Sequence, residues 1–181
     1  MVLYEFYSSL KSNGDIIDIN DSNGRLSSYF IWNNVKGDFL NFMKPRCQPQ
    51  SSIKLDDLLA ADYLPANMEI PIFSEKAMNA FKKNNMNEIK GFECIVNCGN
   101  RELIFYMCFI DMFLDLVDIE KSEFRELTTG RKVLTKAVYK QSNELDFYLA
   151  RDINFKGRLV LSQKFVDFCF SNNLNINFLR I

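Results

Sequence analysis

The residues that most often carry out catalysis are largely missing from this chain. None of its 181 residues is a histidine, so the commonest general acid–base side chain near neutral pH and the commonest metal ligand are both absent. Ser-His-Asp and Cys-His catalysis are therefore excluded. The seven glycines are spread singly and form neither a Walker loop nor a Gly-x-Gly-x-x-Gly pattern. The sequence predicts no cofactor and argues against the common nucleotide-binding enzymes.

Acidic residues in one stretch are the strongest remaining candidates for chemistry. They are Asp111, Asp115, Asp118, Glu120 and Glu123. Paired carboxylates could act as acid and base, or could supply oxygen ligands to a hard cation. The stretch lacks the Asp-x-Asp-x-Asp-Gly pattern of a calcium loop. We therefore interpret it as a solvated or hydrogen-bonded structural segment and predict no metal site.

Cysteine and serine supply two further candidates, and a structural role is favoured for both. Cys94 and Cys98 share one face of a predicted strand, but the second pair needed for a zinc site is missing. The odd total of five cysteines, mostly within apolar runs, is typical of reduced thiols in a cytoplasmic protein. Ser74 and Ser162 each lie between an apolar run and a predicted helix, without the glycines or the histidine of a nucleophile elbow. We predict that both are helix N-caps and name no catalytic residue.

A unit that occurs twice explains where those two serines stand. Residues 70–87 match residues 158–175 without a gap, and each copy has an apolar run, a Ser, a Glu or Gln, a Lys and a closing Asn pair. A Ser at this position can accept a hydrogen bond from the first turn of the helix, and Asn commonly ends one. We predict an internal repeat of strand, Ser, helix and strand at residues 70–92 and 158–181.

A hairpin and two terminal strands are predicted to complete a sheet. Residues 91–97 and 102–110 are apolar, β-branched and aromatic, with the turn residues Cys98-Gly99-Asn100 between them. Residues 1–7 and 176–181 alternate apolar and polar side chains, which indicates strands. The predicted fold class is α+β, with a mixed, mostly antiparallel sheet on which the two repeated units pack.

Other segments are predicted as loops or edges of this fold. Residues 8–28 are rich in Ser, Asn, Asp and Gly, which favours a loop or loose hairpin with turns at Asn13-Gly14 and Asn23-Gly24 and a short strand through Ile16, Ile17 and Ile19 between them. Residues 44–52 contain two prolines and predict a linker or surface loop. Residues 145–150 are short and aromatic and predict a strand. The only tryptophan, Trp32, is expected to pack at an edge of the core.

Composition indicates a folded globular protein with no strong electrostatic preference. The chain is 48% hydrophobic and has a formal net charge of −1, which gives no reason to expect binding to nucleic acid or to an anionic membrane. No basic start of a signal peptide and no membrane-spanning segment is recognised. We predict a strand and loop region at residues 1–50 and a domain with the internal repeat at residues 51–181, together forming one compact unit.

Five short motifs, in their order along the chain, resemble a known family. They are Lys54-Leu55-Asp56-Asp57-Leu58, Pro71-Ile72-Phe73-Ser74-Glu75-Lys76, the hairpin of residues 91–110, Val117-Asp118-Ile119-Glu120-Lys121-Ser122 and Leu161-Ser162-Gln163-Lys164. This order is similar to the immunity proteins of bacterial polymorphic toxin systems that are numbered eleventh in that series. The resemblance covers about residues 54–181. Gln163 stands where the family tends to have Glu, and Asn172-Asn173 replaces a Gly expected before the last strand.

The resemblance implies a non-enzymatic cytoplasmic protein that binds a cognate toxin encoded by a nearby gene. Such a protein neutralises the toxin by occupancy, that is, by staying bound to it. It does not locate the interface, since the shared motifs have structural roles. Two other classes remain open on the residues alone. One is a small-ligand-binding or regulatory domain with a pocket lined by aromatic side chains. The other is an enzyme that uses Asp115, Asp118 and Glu120 as its acids.

Overall fold

Helices and strands alternate irregularly along the chain in a computed structural model, which describes residues 2–8, 10, 14–140 and 146–181. The helices are α1 (Arg25–Phe30), α2 (Leu55–Ala60), α3 (Glu75–Lys83) and α4 (Gln163–Ser171), and Asp38–Asn41 forms a 3-10 turn. None of these described helices has the length and apolar character needed to cross a membrane.

The described strands form two large sheets and one small ribbon. The six-stranded sheet has the order β2 (Ile17–Ile19), β3 (Arg46–Pro49), β6 (Ile89–Cys98), β7 (Arg101–Ile110), β5 (Ile72–Phe73) and β4 (Tyr63–Leu64). The five-stranded sheet has the order β13 (Asn177–Arg180), β1 (Leu3–Tyr7), β12 (Leu159–Ser162), β11 (Leu149–Asp152) and β8 (Phe113–Leu114). The ribbon pairs β9 (Glu123–Glu126) with β10 (Lys132–Lys136). Only the β3–β6 and β8–β11 pairs among these are parallel, so the predicted α+β class with mostly antiparallel pairing is confirmed.

Both copies of the repeated unit have the predicted start and end. The hydroxyl of Ser74 accepts a hydrogen bond from the Ala77 N–H at 3.1 Å, and the hydroxyl of Ser162 accepts from Phe165 N–H at 3.3 Å. Asn85 and Asn173 close the two helices with φ angles of 53° and 52°, a left-handed conformation that Asn tolerates better than most residues. The N-cap prediction is confirmed at both serines.

The two copies pack against each other in one hydrophobic core. Phe81 of α3 lies 5.8 Å from Phe165 of α4, measured between ring centroids, and both side chains are buried. Phe73 and Leu161, at matching positions just before the serines, join the same core. Both copies of the repeat therefore contribute side chains to one shared core.

Two loop predictions at the amino-terminal end are wrong. Residues 46–49, expected to be a linker, form β3 between β2 and β6, with Cys47 buried. Residues 25–28, expected to be loop, begin α1, because the Asp21 carboxylate accepts hydrogen bonds from the N–H groups of Leu26 and Ser27. Asp favours turns as well as helix starts, so the Asp21 segment resembled a loop although its carboxylate stabilises the first turn of α1. Asn13 of the predicted Asn13-Gly14 turn lies outside the described residues.

The other predicted strands are present, with some shifts. The hairpin is confirmed, since β6 and β7 pair over their full length around a turn at residues 99–100. The terminal strands are confirmed, since β1 pairs with β13. The strand predicted at 145–150 is displaced to Leu149–Asp152, and its first residue, Leu145, lies outside the described residues. The division of the chain at residue 50 stays a prediction.

Replacing Ser74 or Ser162 by Ala should destabilise the protein by about 1 kcal/mol, because an N–H group of the first helical turn loses its acceptor. Ser171→Ala is the matched control, since its hydroxyl donates to the Asp167 carbonyl at the other end of α4. Urea unfolding measures the difference. An equal effect at all three serines would contradict the cap assignment.

Candidate functional site

Most of the acidic residues singled out in the sequence pair with separate lysines. Four of the five carboxylates form ion pairs with four different lysines, namely Asp111 with Lys90, Asp115 with Lys140, Asp118 with Lys121 and Glu123 with Lys136. The hydrogen bond from Lys121 holds the pKa of Asp118 below its usual value. Within residues 2–8, 10, 14–140 and 146–181, no group of three or more Cys, Asp or Glu side chains could hold a metal ion. The structural interpretation of this stretch fits the geometry.

The five cysteines are free thiols, and all but Cys98 are buried. A hydrogen bond with Cys47 and burial both raise the pKa of Cys94, and burial raises the pKa of Cys108 and of Cys169. The reactive form of cysteine is the thiolate. These three side chains are therefore held in the unreactive protonated form at neutral pH.

A cavity opens where two strands of the five-stranded sheet separate. β1 and β12 pair only at Leu3–Ser162 and Tyr4–Leu161. Beyond that point the two strands no longer pair. Glu5 and Phe6 on one strand, and residues 157–159 in and before the other, line a cavity of about 220 Å³. The segment that leaves β4 closes another side of the cavity. We call this space the inner cavity.

Charged side chains of both signs line the inner cavity. Glu5, Glu69 and Arg158 face it, and Tyr63 adds an aromatic wall. Glu69 is exposed at the mouth of the cavity, yet the protein atoms crowded around its carboxyl raise its pKa by desolvation, with a further increase from Glu5. Arg151 and Arg158 oppose that shift.

A fully buried arginine supports the wall behind Glu69. The guanidinium of Arg151 donates to the carbonyl of Lys156 at 2.9 Å and to the carbonyl of Glu69. Burial lowers the pKa of Arg151 to about 10, and the Glu69 charge partly offsets this effect. Arg151 Nε is buried without a hydrogen-bond partner among the described residues. The guanidinium joins two loops that approach the cavity from opposite sides.

A wider groove continues outward from the inner cavity. It has a volume of about 510 Å³ and shares Glu69, Gly157 and Arg158 with the cavity. Trp32, Phe155 and residues 131–134 also line it. We call this space the outer groove, and the cavity and groove together the cleft. The β9–β10 ribbon with its turn, residues 123–136, is called the arm.

One buried carboxylate fixes the loop that carries Phe155 and Arg158. Asp152 accepts two N–H groups of that loop, from Asn154 and Phe155, at 2.8 and 2.7 Å. Its other oxygen accepts the N–H groups of Leu116 and Val117 at 2.9 and 2.8 Å. Asp152 therefore holds the loop against the segment that leads into the arm.

Two contacts set the width of the outer groove. The ammonium of Lys156 donates to the carbonyl of Trp32 at 2.8 Å, which ties the tryptophan segment to the body of the protein. Across the groove, Phe124 of the arm packs on Phe155 with 5.9 Å between ring centroids. The groove is thus bounded by residues more than a hundred positions apart in the chain.

The outer groove is basic and aromatic in a chain of net charge −1. Arg131 and Lys132 are exposed, and neither forms an ion pair with any described residue. Trp32 keeps 47% of its surface exposed, so its expected packing at a core edge is only partial. Trp and Arg side chains on a concave surface are typical of protein interfaces. This arrangement can bind, but it lacks an activated nucleophile with a base.

Sequence reasoning did not single out the cleft residues. Arg131 and Arg158 stand beside Gly130 and Gly157 in what reads as ordinary turn sequence, so only the lone tryptophan gave a signal. No family model and no curated protein sequence matches this chain.

Proposed function

We propose that this protein is an immunity protein, which binds a cognate bacterial toxin in the cytoplasm and neutralises it by occupancy through the cleft. The observation that carries the proposal is the outer groove, which is lined by the exposed ring of Trp32 and by the unpaired cations Arg131 and Lys132. The order of the five sequence motifs resembles that of an immunity family, and this resemblance is the reason for proposing a toxin as the partner.

Occupancy fits the distribution of chemical groups better than turnover does. Two of the three acids that an enzyme would use are each paired with a different lysine, Asp115 with Lys140 at 2.5 Å and Asp118 with Lys121 at 2.8 Å. The cleft, in contrast, holds the residue types that dominate binding free energy when they become desolvated. A nanomolar complex needs about −12 kcal/mol, which several such side chains must share.

Trp32→Ala should weaken toxin binding by about 2 kcal/mol, or roughly 30-fold, because a large exposed ring at an interface centre loses its buried area. The measurement is titration calorimetry with the toxin domain encoded by the neighbouring gene. Phe42→Ala is the matched control, since Phe42 is 89% exposed and lies outside the cleft. Equal losses for both variants would contradict the cleft as the interface.

The mode of action is tested by co-expression with the same toxin. Protection should require at least one protein molecule per toxin, and the double variant Asp115→Asn, Asp118→Asn should protect as well as the parent wherever it folds. Rescue at a substoichiometric level, or loss of protection in that variant while it remains folded, would contradict occupancy and indicate that the protein acts as an enzyme.

The inner cavity favours a second candidate function, which is binding of a small ligand. Glu5, Glu69 and Arg158 present both charge signs within about 220 Å³, a combination that suits a small zwitterion. A rise in melting temperature with free amino acids, together with no binding to the neighbouring gene product, would favour this function.

A further inference from the structure

The arm presents the edge of a strand to the outer groove. Four consecutive residues, Arg131 to Leu134, line the groove. Successive side chains of a strand point to opposite faces of its sheet. If one face of the arm lined the groove, only every second residue of β10 would reach it. Because four consecutive residues line the groove, we infer that the edge of β10 borders it.

The main-chain groups on that edge point away from β9. The N–H of Leu127 donates to the carbonyl of Arg131 at 2.8 Å, which makes these two opposed residues a hydrogen-bonded pair. In an antiparallel ladder such pairs alternate with pairs that are not hydrogen-bonded, and the register continues through Lys132–Glu126 and Leu134–Phe124. The N–H and carbonyl groups of Lys132 and Leu134 therefore face outward. Within the described chain, β9 is the one strand that pairs with β10.

The arm is a small element with little support of its own. A two-stranded ribbon is at best marginally stable in water, and a third strand stabilises it. Most side chains of β9 and β10 are exposed. The Phe124–Phe155 contact joins the arm to the body, and the isolated bridge between Val117 and Tyr139 pairs the segments that lead into and out of the arm. A strand added in the groove would pair with the arm and contact the body at once.

The charges around this edge select an acidic occupant. Arg131, Lys132 and Arg158 line the groove, and Glu69 is the one acidic residue among its lining residues. The aromatic rings of Trp32 and Phe155 line the same groove. An extended segment with Asp or Glu side chains would satisfy the main-chain groups of β10 and the unpaired cations together.

We propose that the cleft receives an extended, acidic segment of the toxin, which pairs with the free edge of β10 as a third strand of the arm. This inference rests on the proposed function, because the segment belongs to the toxin that the protein neutralises. Strand addition supplies main-chain hydrogen bonds, and the cations supply selectivity for acidic side chains.

Charge reversal tests the acidic character of the segment. The double variant Arg131→Glu, Lys132→Glu should bind the neighbouring toxin domain at least tenfold more weakly, and Arg131→Gln, Lys132→Gln should show a smaller loss. The matched control is Lys83→Glu, Arg101→Glu, which changes the net charge equally at exposed cations outside the cleft and the arm and should change affinity less than threefold. Circular dichroism checks that each variant folds.

Hydrogen exchange tests strand addition itself. In the wild-type complex, the backbone N–H groups of Lys132 and Leu134 should exchange at least tenfold more slowly than in the free protein, whereas that of Val133, which faces β9, should change less. If the toxin binds but these two groups are not protected, or charge reversal has no effect, this inference is overturned and the proposed function stands. If the wild-type protein does not bind the toxin, both are overturned. Binding of single-stranded oligothymidylate in the groove, or a dimer in light scattering that the charge reversal dissolves, also overturns the inference.

Discussion

Asp152→Ala is expected to destabilise the protein by about 3–5 kcal/mol. The carboxylate is fully buried and accepts the N–H groups of Leu116, Val117, Asn154 and Phe155 at distances between 2.7 and 2.9 Å. Alanine leaves the N–H groups of Leu116 and Val117 without an acceptor in the interior, where an unsatisfied group loses its hydration without compensation. Since a domain is typically stable by about 5–15 kcal/mol, this loss is a large part of the total.

Urea unfolding of Asp152→Ala and two comparison variants measures this effect. Asp152→Asn keeps one oxygen acceptor and should lie between the parent and the alanine variant. Asp115→Ala removes only an exposed partner of Lys140, and a surface ion pair of this kind contributes at most about 1 kcal/mol. An alanine effect at Asp152 no larger than that at Asp115 would show that the buried hydrogen bonds do not carry the predicted stabilisation.

Asp62→Ala is expected to cost about 2–3 kcal/mol and to reduce the sensitivity of stability to acid. Asp62 is 5% exposed and joins the two repeat copies. Its carboxylate accepts from the hydroxyl of Ser74 and the ammonium of Lys76 in one copy, and from the N–H of Asn175 in the other. Lys76 also donates to the carbonyl of Asn173 at 2.6 Å.

The direction of the pH effect follows from the pKa of Asp62. Burial alone would raise this pKa, but the hydrogen bonds from Ser74, Asn175 and Lys76 outweigh burial and hold it below its usual value. The folded protein therefore favours the charged form. The charged carboxylate of Asp62 therefore stabilises the fold fully above about pH 5. This stabilisation is lost as the pH falls below about 4 and passes through the lowered pKa of the folded state.

Stability measured between pH 7 and pH 2 tests this prediction. The parent protein should lose more stability than Asp62→Asn, which keeps the shape of the side chain and cannot titrate. The exposed residue Asp167 supplies the control substitution Asp167→Asn, whose pH profile should match that of the parent. Parallel profiles for the parent and Asp62→Asn would contradict the assignment of acid sensitivity to Asp62.

Local sequence determined the repeated units and the long hairpin. Ser74 and Ser162 cap their helices through hydrogen bonds that span three residues, and the Asn pairs end them through the backbone conformation of single residues. The hairpin joins strands that follow each other through a two-residue turn. Such features depend on neighbours in the chain, so residue type and spacing suffice to predict them.

Tertiary structure alone decided the position of β3 and the existence of the cleft. β3 pairs in parallel with β6, more than forty residues away. Pro45 just before the strand and Pro49 at its end make the segment resemble a loop. The cleft combines Glu5, Trp32, Glu69, Arg131 and Arg158. In the sequence Trp32 stands out as the only tryptophan, whereas the other four are ordinary charged residues. They meet because β1 separates from β12 and Asp152 fixes the loop opposite the arm, and both arrangements depend on packing between distant segments, which no local pattern specifies.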